Sequence, residues 1–151
     1  MNLLLSTILI IILDQATKFL AIKSLSLHQS VVLIPGIFHI TLVLNRGAAF
    51  GILKNQTLLF ISSAVLAVTL IMLDFFRKRA SNYLYDISLS LIAAGAIGNL
   101  IDRLFRGHVV DFLDFRVWPV FNIADTSVTI GAILLGYVVL LQQKDTPART
   151  Q

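Results

Sequence analysis

Apolar residues gather along this chain in four long blocks, roughly 3 to 22, 56 to 76, 86 to 105 and 122 to 142, separated by polar stretches of unequal length. Crossing a hydrocarbon layer of ~30 Å takes about 20 such residues in a helix, so the pattern predicts four membrane-spanning helices. The longer connection, about 24 to 55, contains IFHITLVLNRGAAFG. Its β-branched residues ahead of a glycine-rich turn predict a small strand element capping the helices. The chain therefore reads as a single integral membrane domain over 1–151, an all-α membrane protein with four transmembrane helices and a small strand element, ending in a polar tail, about 143 to 151, expected to be disordered.

Composition sharpens that picture. With 57% hydrophobic and 13% charged residues and a mean hydropathy of +0.87, the soluble globular classes are excluded. The first block is not read as a removable signal, because it lacks a basic leading segment, carries Asp14 and Lys18 inside the apolar run, and has no small-residue cleavage site after it. The absence of cysteine removes disulfides, thiolate catalysis and zinc-thiolate sites. The net charge is +4, yet no basic stripe with interleaved aromatics appears. Membrane lipids rather than nucleic acid are the expected partners of the positive charge.

Four spans put both ends on one side, and Arg77, Lys78 and Arg79 in the short second connection mark that side as cytoplasmic. The bare count of basic residues runs the other way. Lys144 and Arg149 bring that side to five, against seven opposite: Lys18, Lys23, Arg46, Lys54, Arg103, Arg106 and Arg116. Lys18 and Arg103 lie within span ends beside acids and are discounted.

Charged residues within lipid depth cost roughly 2.5 to 3.5 kcal/mol each on insertion scales, so each needs a reason. Asp14 and Lys18 are spaced i, i+4 and share a helix face. They read either as a structural pair or as part of a site. In the third block Asn99 lies one turn before Asp102 and Arg103, while Ser90, Ala94 and Gly98 form a small-residue face suited to close helix packing; structural bonds between helix ends or chemistry both account for the polar trio. Asp111 and Asp114, in GHVVDFLDF, read alone as loop acids. Asn122 followed by Asp125 resembles a helix N-cap with a first-turn carboxylate. All these groups converge on one membrane face, which signals a functional site.

The inventory restricts the chemistry. There is no glutamate, no HExxH, and His28, His39 and His108 lack helical ligand spacing, so no metal or cofactor is expected. No G-x-S-x-G elbow is present, although a Ser-Lys pair stays open. Two carboxylates are the best-supplied option. Sharing one proton, the ionised member takes a proton from water while the protonated member polarises a carbonyl. A proton-coupled carrier and a structural assembly protein are the competing readings of intramembrane charge and small-residue faces.

D-Q-A-T-K (14 to 18), N-R-G-A-A-F-G (45 to 51), G-N-L-I-D-R (98 to 103), V-V-D-F (109 to 112) and F-N-I-A-D (121 to 125) together resemble, in order and spacing, the motif set of the bacterial lipoprotein signal peptidases, or signal peptidase II. The resemblance implies an aspartyl endopeptidase of the bacterial inner membrane, with four transmembrane helices, a small periplasmic β-cradle and a site toward the outer face. It implies cleavage of prolipoproteins on the N-terminal side of a diacylglyceryl-modified cysteine, and the chain is expected to act as a monomer. By the same matching the catalytic pair falls on Asp111 and Asp125. Asp14, Lys18, Asn45, Gly47, Asn99, Asp102, Arg103, Asn122 and Ala124 take positions that support the site or contact substrate. One departure stands out: thirteen residues separate Asp111 from Asp125, fewer than is usual in the family, which leaves the course of 112–120 open.

Overall fold

The structure is a computed structural model that describes residues 3–47, 56–77 and 83–144. Among the described residues, four helices, α1 (Leu3–Ser24), α2 (Thr57–Phe76), α3 (Tyr83–Arg106) and α4 (Ile123–Lys144), and three strands, β1 (Ser30–Ile34), β2 (Phe38–Asn45) and β3 (Val109–Asp114), follow in the order α1 β1 β2 α2 α3 β3 α4. All four helices are long and apolar enough to cross a membrane. The strands form one antiparallel sheet in the order β1-β2-β3. This is a mostly helical multi-pass membrane protein with a small sheet at one end. The tail expected to be disordered, apart from residues 143 and 144 at the end of α4, and the GAAFG part of the first connection beyond Gly47 lie outside the described residues.

Helix α3 is the hub, packing against each of the other three helices. Its approach to α4 is close because glycines face the contact. A methyl group on Gly95 would overlap the Ala124 carbonyl oxygen, and one on Gly131 would meet the Ser88 carbonyl oxygen at 2.8 Å. Lipid tails are as apolar as leucine, so helices in a bilayer gain little from burying oily surface and associate through such backbone proximity and polar bonds. The predicted small-residue face is buried: Ser90, Ala94 and Gly98 all lie inside the protein, and Gly98 faces both Asp14 of α1 and Ala124 of α4. Helix α2, by contrast, buries only Ile71 and presents residues such as Leu58, Leu66 and Leu70 outward, as a lipid-facing span does.

The sheet sits over the end of α1, held by Ala21, Leu42, Val110 and Phe112. Two of its strands differ from the sequence reading. β1 lies in what read as an undivided connection, and the segment around Asp111, read as a loop, is the strand β3. Five of the six β3 residues are buried, because one face packs on α1 and the other on the site, so the strand shows no alternation of oily and polar positions that would reveal it.

The short connection between β3 and α4 closes by a tight excursion. Gly107, at φ +73°, ends α3 and sends the chain into β3. After β3 the backbone reverses at Arg116, a non-glycine residue at φ +66°, and the Asp114 carboxylate accepts the Arg116 N–H at 2.8 Å and its guanidinium at 3.1 Å. A left-handed backbone costs an ordinary residue roughly 1–2 kcal/mol, which these bonds offset. Phe121 then returns to pair with Leu113 through N–H···O bonds of 2.8 and 3.0 Å. Because 121 is brought back beside 113, the few residues between Asp111 and Asp125 suffice to place α4 next to β3.

Candidate active site

Asn122 and Asp125 begin α4 with reciprocal bonds. The Asn122 Oδ1 accepts the Asp125 backbone N–H at 2.9 Å, and the Asp125 carboxylate reaches back to the Asn122 N–H at 3.3 Å. This is the geometry of a capping box, with asparagine and aspartate in place of the commoner Ser/Thr and Glu/Gln. A second free N–H of the first turn, that of Ala124, is taken by Asp14 Oδ1 at 2.9 Å from across the bundle. Gly98 makes room for that acid; a methyl group there would lie 2.6 Å from Asp14 Oδ2. The N-terminus of α4 is thus tied both to itself and to α1.

Asp111 enters from β3. Its carboxylate accepts the side-chain amide of Asn122 at 2.6 Å and that of Asn45 at 2.9 Å. Asp125 accepts the amide of Asn99 at 2.7 Å. Both acids open onto one cavity of about 330 Å³, whose wall includes Asn45, Gly47, Asn99, Arg103 and Trp118. Asp111 is 1% exposed. Burial, and after it the negative charge of Asp125, push its pKa up to about 7 against the bonds from Asn45 and Asn122 and the charge of Lys18.

The asparagines share one logic. Each holds its amide oxygen against a group that only donates, and each therefore turns its NH₂ toward an aspartate. For Asn45 that donor is the Gly47 N–H at 2.9 Å; for Asn122 it is the Asp125 N–H; for Asn99 it is the Lys18 ammonium at 2.9 Å. Gly47 is thus linked to Asp111 by hydrogen bonds through Asn45.

Behind the asparagines lies a buried charge cluster. Lys18, fully buried, meets Asp14 at 2.9 Å and Asp102 at 3.0 Å, and Arg106 pairs with Asp102. Two cations face two acids, and Asp102 also accepts the Val110 N–H at 3.1 Å, fixing β3 beside α3. Such a cluster loses about 3–5 kcal/mol when one partner is removed. The structure accordingly places Asp14, Lys18 and Asp102 in support of helix and strand ends, while their neighbour Arg103 faces the cavity, its guanidinium 4.8 Å from the Phe60 ring centre. Asp114 is not in the cavity wall. It bonds Thr41 at 2.7 Å and Arg116, and these bonds outweigh its burial to hold its pKa below the usual carboxylate value.

Sequence reasoning did not single out Gln15, Arg106, Thr41 or Phe60. Gln15 donates to Asp14 at 3.1 Å and to the Gly98 carbonyl at 3.1 Å, while accepting from Arg106 at 3.1 Å. Arg106 lies one turn after Asp102, and that i, i+4 spacing was a signal available in the sequence.

Fold and cavity together define a multi-pass membrane protein with two carboxylates bridged at the start of its last span. The family model described as signal peptidase (SPase) II matches residues 6–141. A lipoprotein signal peptidase of Halothermothrix orenii is 45% identical over 137 residues, 91% of this chain and 94% of that protein. Another, from Caldanaerobacter subterraneus subsp. tengcongensis, is 48% identical over 134 residues, 88% of this chain and 92% of that one. A solved structure described as a bacterial membrane enzyme superposes with a TM-score of 0.88 at 33% identity, covering 99% of this chain and 93% of its own. The chain belongs to the signal peptidase II family.

Proposed function

We propose that this protein removes signal peptides from prolipoproteins on the N-terminal side of a diacylglyceryl-modified cysteine, with Asp111 and Asp125 sharing one proton as the catalytic pair. The observation that carries the reading is that a single side chain, Asn122, bonds the Asp111 carboxylate and the Asp125 backbone while both acids open on one cavity. Asp111, with its pKa near 7, is suited to hold the proton. Asp125 receives N–H donors from Asn99 and Asn122 at the positive end of a helix, an arrangement suited to a carboxylate.

In the reaction the Asp125 carboxylate takes a proton from water as its oxygen bonds to the scissile carbonyl carbon, and Asp111 donates its proton to the carbonyl oxygen. The tetrahedral intermediate collapses as the diol returns a proton to Asp111, the C–N bond breaks, and the proton on Asp125 passes to the leaving amine of the lipid-modified cysteine. Arg103 lines the cavity as a donor for substrate carbonyls. No metal or cofactor enters the scheme. The substrate's acyl chains and signal helix stay in lipid beside the outward apolar faces, so one copy of the chain suffices.

The cavity lies on the outer face of the inner membrane in this reading. Arg77, Lys78 and Arg79 mark the opposite side as cytoplasmic, and of the basic residues on the cavity side, Lys18, Arg106 and Arg116 are each paired with an aspartate.

The test is incubation of the purified protein with a diacylglyceryl-modified prolipoprotein, with products identified by mass. Cleavage immediately before the modified cysteine is expected from the native protein and none from Asp111→Asn. Native-like cleavage by that variant overturns the assignment, and ion flux in proteoliposomes without any cleavage favours the carrier reading.

A further inference from the structure

Lys18 has no surface of its own: it is 0% exposed and its ammonium is surrounded by Asp14, Asp102 and Asn99. Two acids already account for a counter-ion, and Asp102 has a second cation in Arg106. The third partner is the unexpected one. Asn99 Oδ1 takes the ammonium at 2.9 Å and the Asn122 amide at 3.1 Å, while Asn99 Nδ2 gives 2.7 Å to Asp125 Oδ1. With the amide turned over, its NH₂ would face an ammonium and a second NH₂, and its oxygen would face a carboxylate. An ammonium has no acceptor with which to relieve that arrangement.

We infer that Lys18 is a positioning residue that acts through Asn99, its ammonium setting the side-chain amide so that an N–H donor is always presented to Asp125. This rests on the dyad reading above and adds to it a cause for the orientation of Asp125. Asp14 and Asp102, on α1 and α3, hold the ammonium in place, and Asn99 transmits its direction to α4. Among the described residues, the other group bonded to the Asn99 oxygen is the Asn122 amide, which is not barred from accepting.

The experiment removes charge without unbalancing the cluster. In the Asp14→Asn background one acid is neutral, so Lys18 can be replaced by a neutral residue with the local charges still matched. Lys18→Met in that background removes the donor, and Lys18→Gln keeps an N–H donor one bond closer to the backbone. With a diacylglyceryl-modified prolipoprotein as substrate, Lys18→Met is expected to lower kcat at least about tenfold relative to Asp14→Asn alone with KM changed by less than about twofold, and Lys18→Gln, which donates but can also turn its oxygen toward Asn99, to recover only part of that loss. Adding Asn99→Ala to the Lys18→Met pair is expected to lower kcat no further than Asn99→Ala alone, since both act on one bond. Equal activity of the Met and Gln variants, whether native-like or lost, overturns the proposal, as does a multiplicative loss on adding Asn99→Ala. Failure of both variants to fold assigns Lys18 to the scaffold alone and likewise overturns it. Asp111→Asn run in parallel keeps the two readings apart: if it cleaves normally the dyad fails, whatever Lys18 does.

Discussion

Asn122 donates its side-chain amide to Asp111 at 2.6 Å and accepts the backbone N–H of Asp125 at 2.9 Å. One residue thereby caps a membrane helix and couples a strand acid to a helix acid. Its two roles are separable by substitution. Asn122→Ala removes both, and is expected to cost about 1 kcal/mol of stability through the lost cap and about a hundredfold or more in kcat. Asn122→Ser restores the cap alone, so thermal unfolding in detergent recovers while cleavage stays low. Recovery of both together would show that the bond to Asp111 is dispensable.

The two aspartates differ from the third. Asp111→Asn and Asp125→Asn are each expected to abolish prolipoprotein cleavage in protein that still inserts and folds. Asp114→Asn keeps an acceptor for the Arg116 N–H while its NH₂ replaces the oxygen that meets Thr41, and it is expected to cleave within about threefold of native, since Asp114 touches neither carboxylate of the proposed pair. Product mass spectra on the three variants decide this, and an inactive but folded Asp114→Asn counts against the pairing of 111 with 125.

Titration of Asp111 links activity and stability to pH. Its pKa of about 7 in the folded protein lies above the ordinary value of 3.8, so between these values the folded state binds more protons than the unfolded state. Stability from this group is therefore greatest at the acid end of that window and falls as pH rises toward 7. Cleavage is expected to fall along an alkaline limb near pH 7 as the shared proton is lost. Asn45 stabilises the Asp111 anion, so Asn45→Ala moves that limb to higher pH. A kcat/KM profile in which Asn45→Ala shifts it downward contradicts the assignment.

Helix contact is testable at glycines. Gly95→Ala places a methyl group against the Ala124 carbonyl, which neither helix backbone relieves without moving α4, and it is expected to cost roughly 1–3 kcal/mol and to lose cleavage by displacing Asp125. Gly136→Ala, with nothing within 4 Å, serves as the matched control and leaves both unchanged. Melting temperatures and rates measured side by side distinguish the two sites.

Much of this protein was legible in its residues, for identifiable reasons. The four spans follow from hydropathy, because crossing the hydrocarbon layer takes about 20 predominantly apolar residues in a row. The Asp14–Lys18 pair and the Asn122–Asp125 cap are local, spaced by one helical turn, so sequence distance alone brings them together. Strand β3 was not visible, since it is buried on both faces and its pairing partner β2 lies far earlier in the chain.

What the amino-acid order determined by itself is thus whatever depends on solvent and short separation: spans, caps, the small-residue face of α3 and the motifs that mark the family. What only the tertiary structure decided is which polar groups meet across elements. Lys18 reaches Asp102 and Asn99 because α1 packs on α3. Asp111 reaches Asn122 because Phe121 folds back onto Leu113. Hydrogen bonds and ion pairs act over about 3 Å, so contacts between distant residues exist only once packing has brought the helices and strands together.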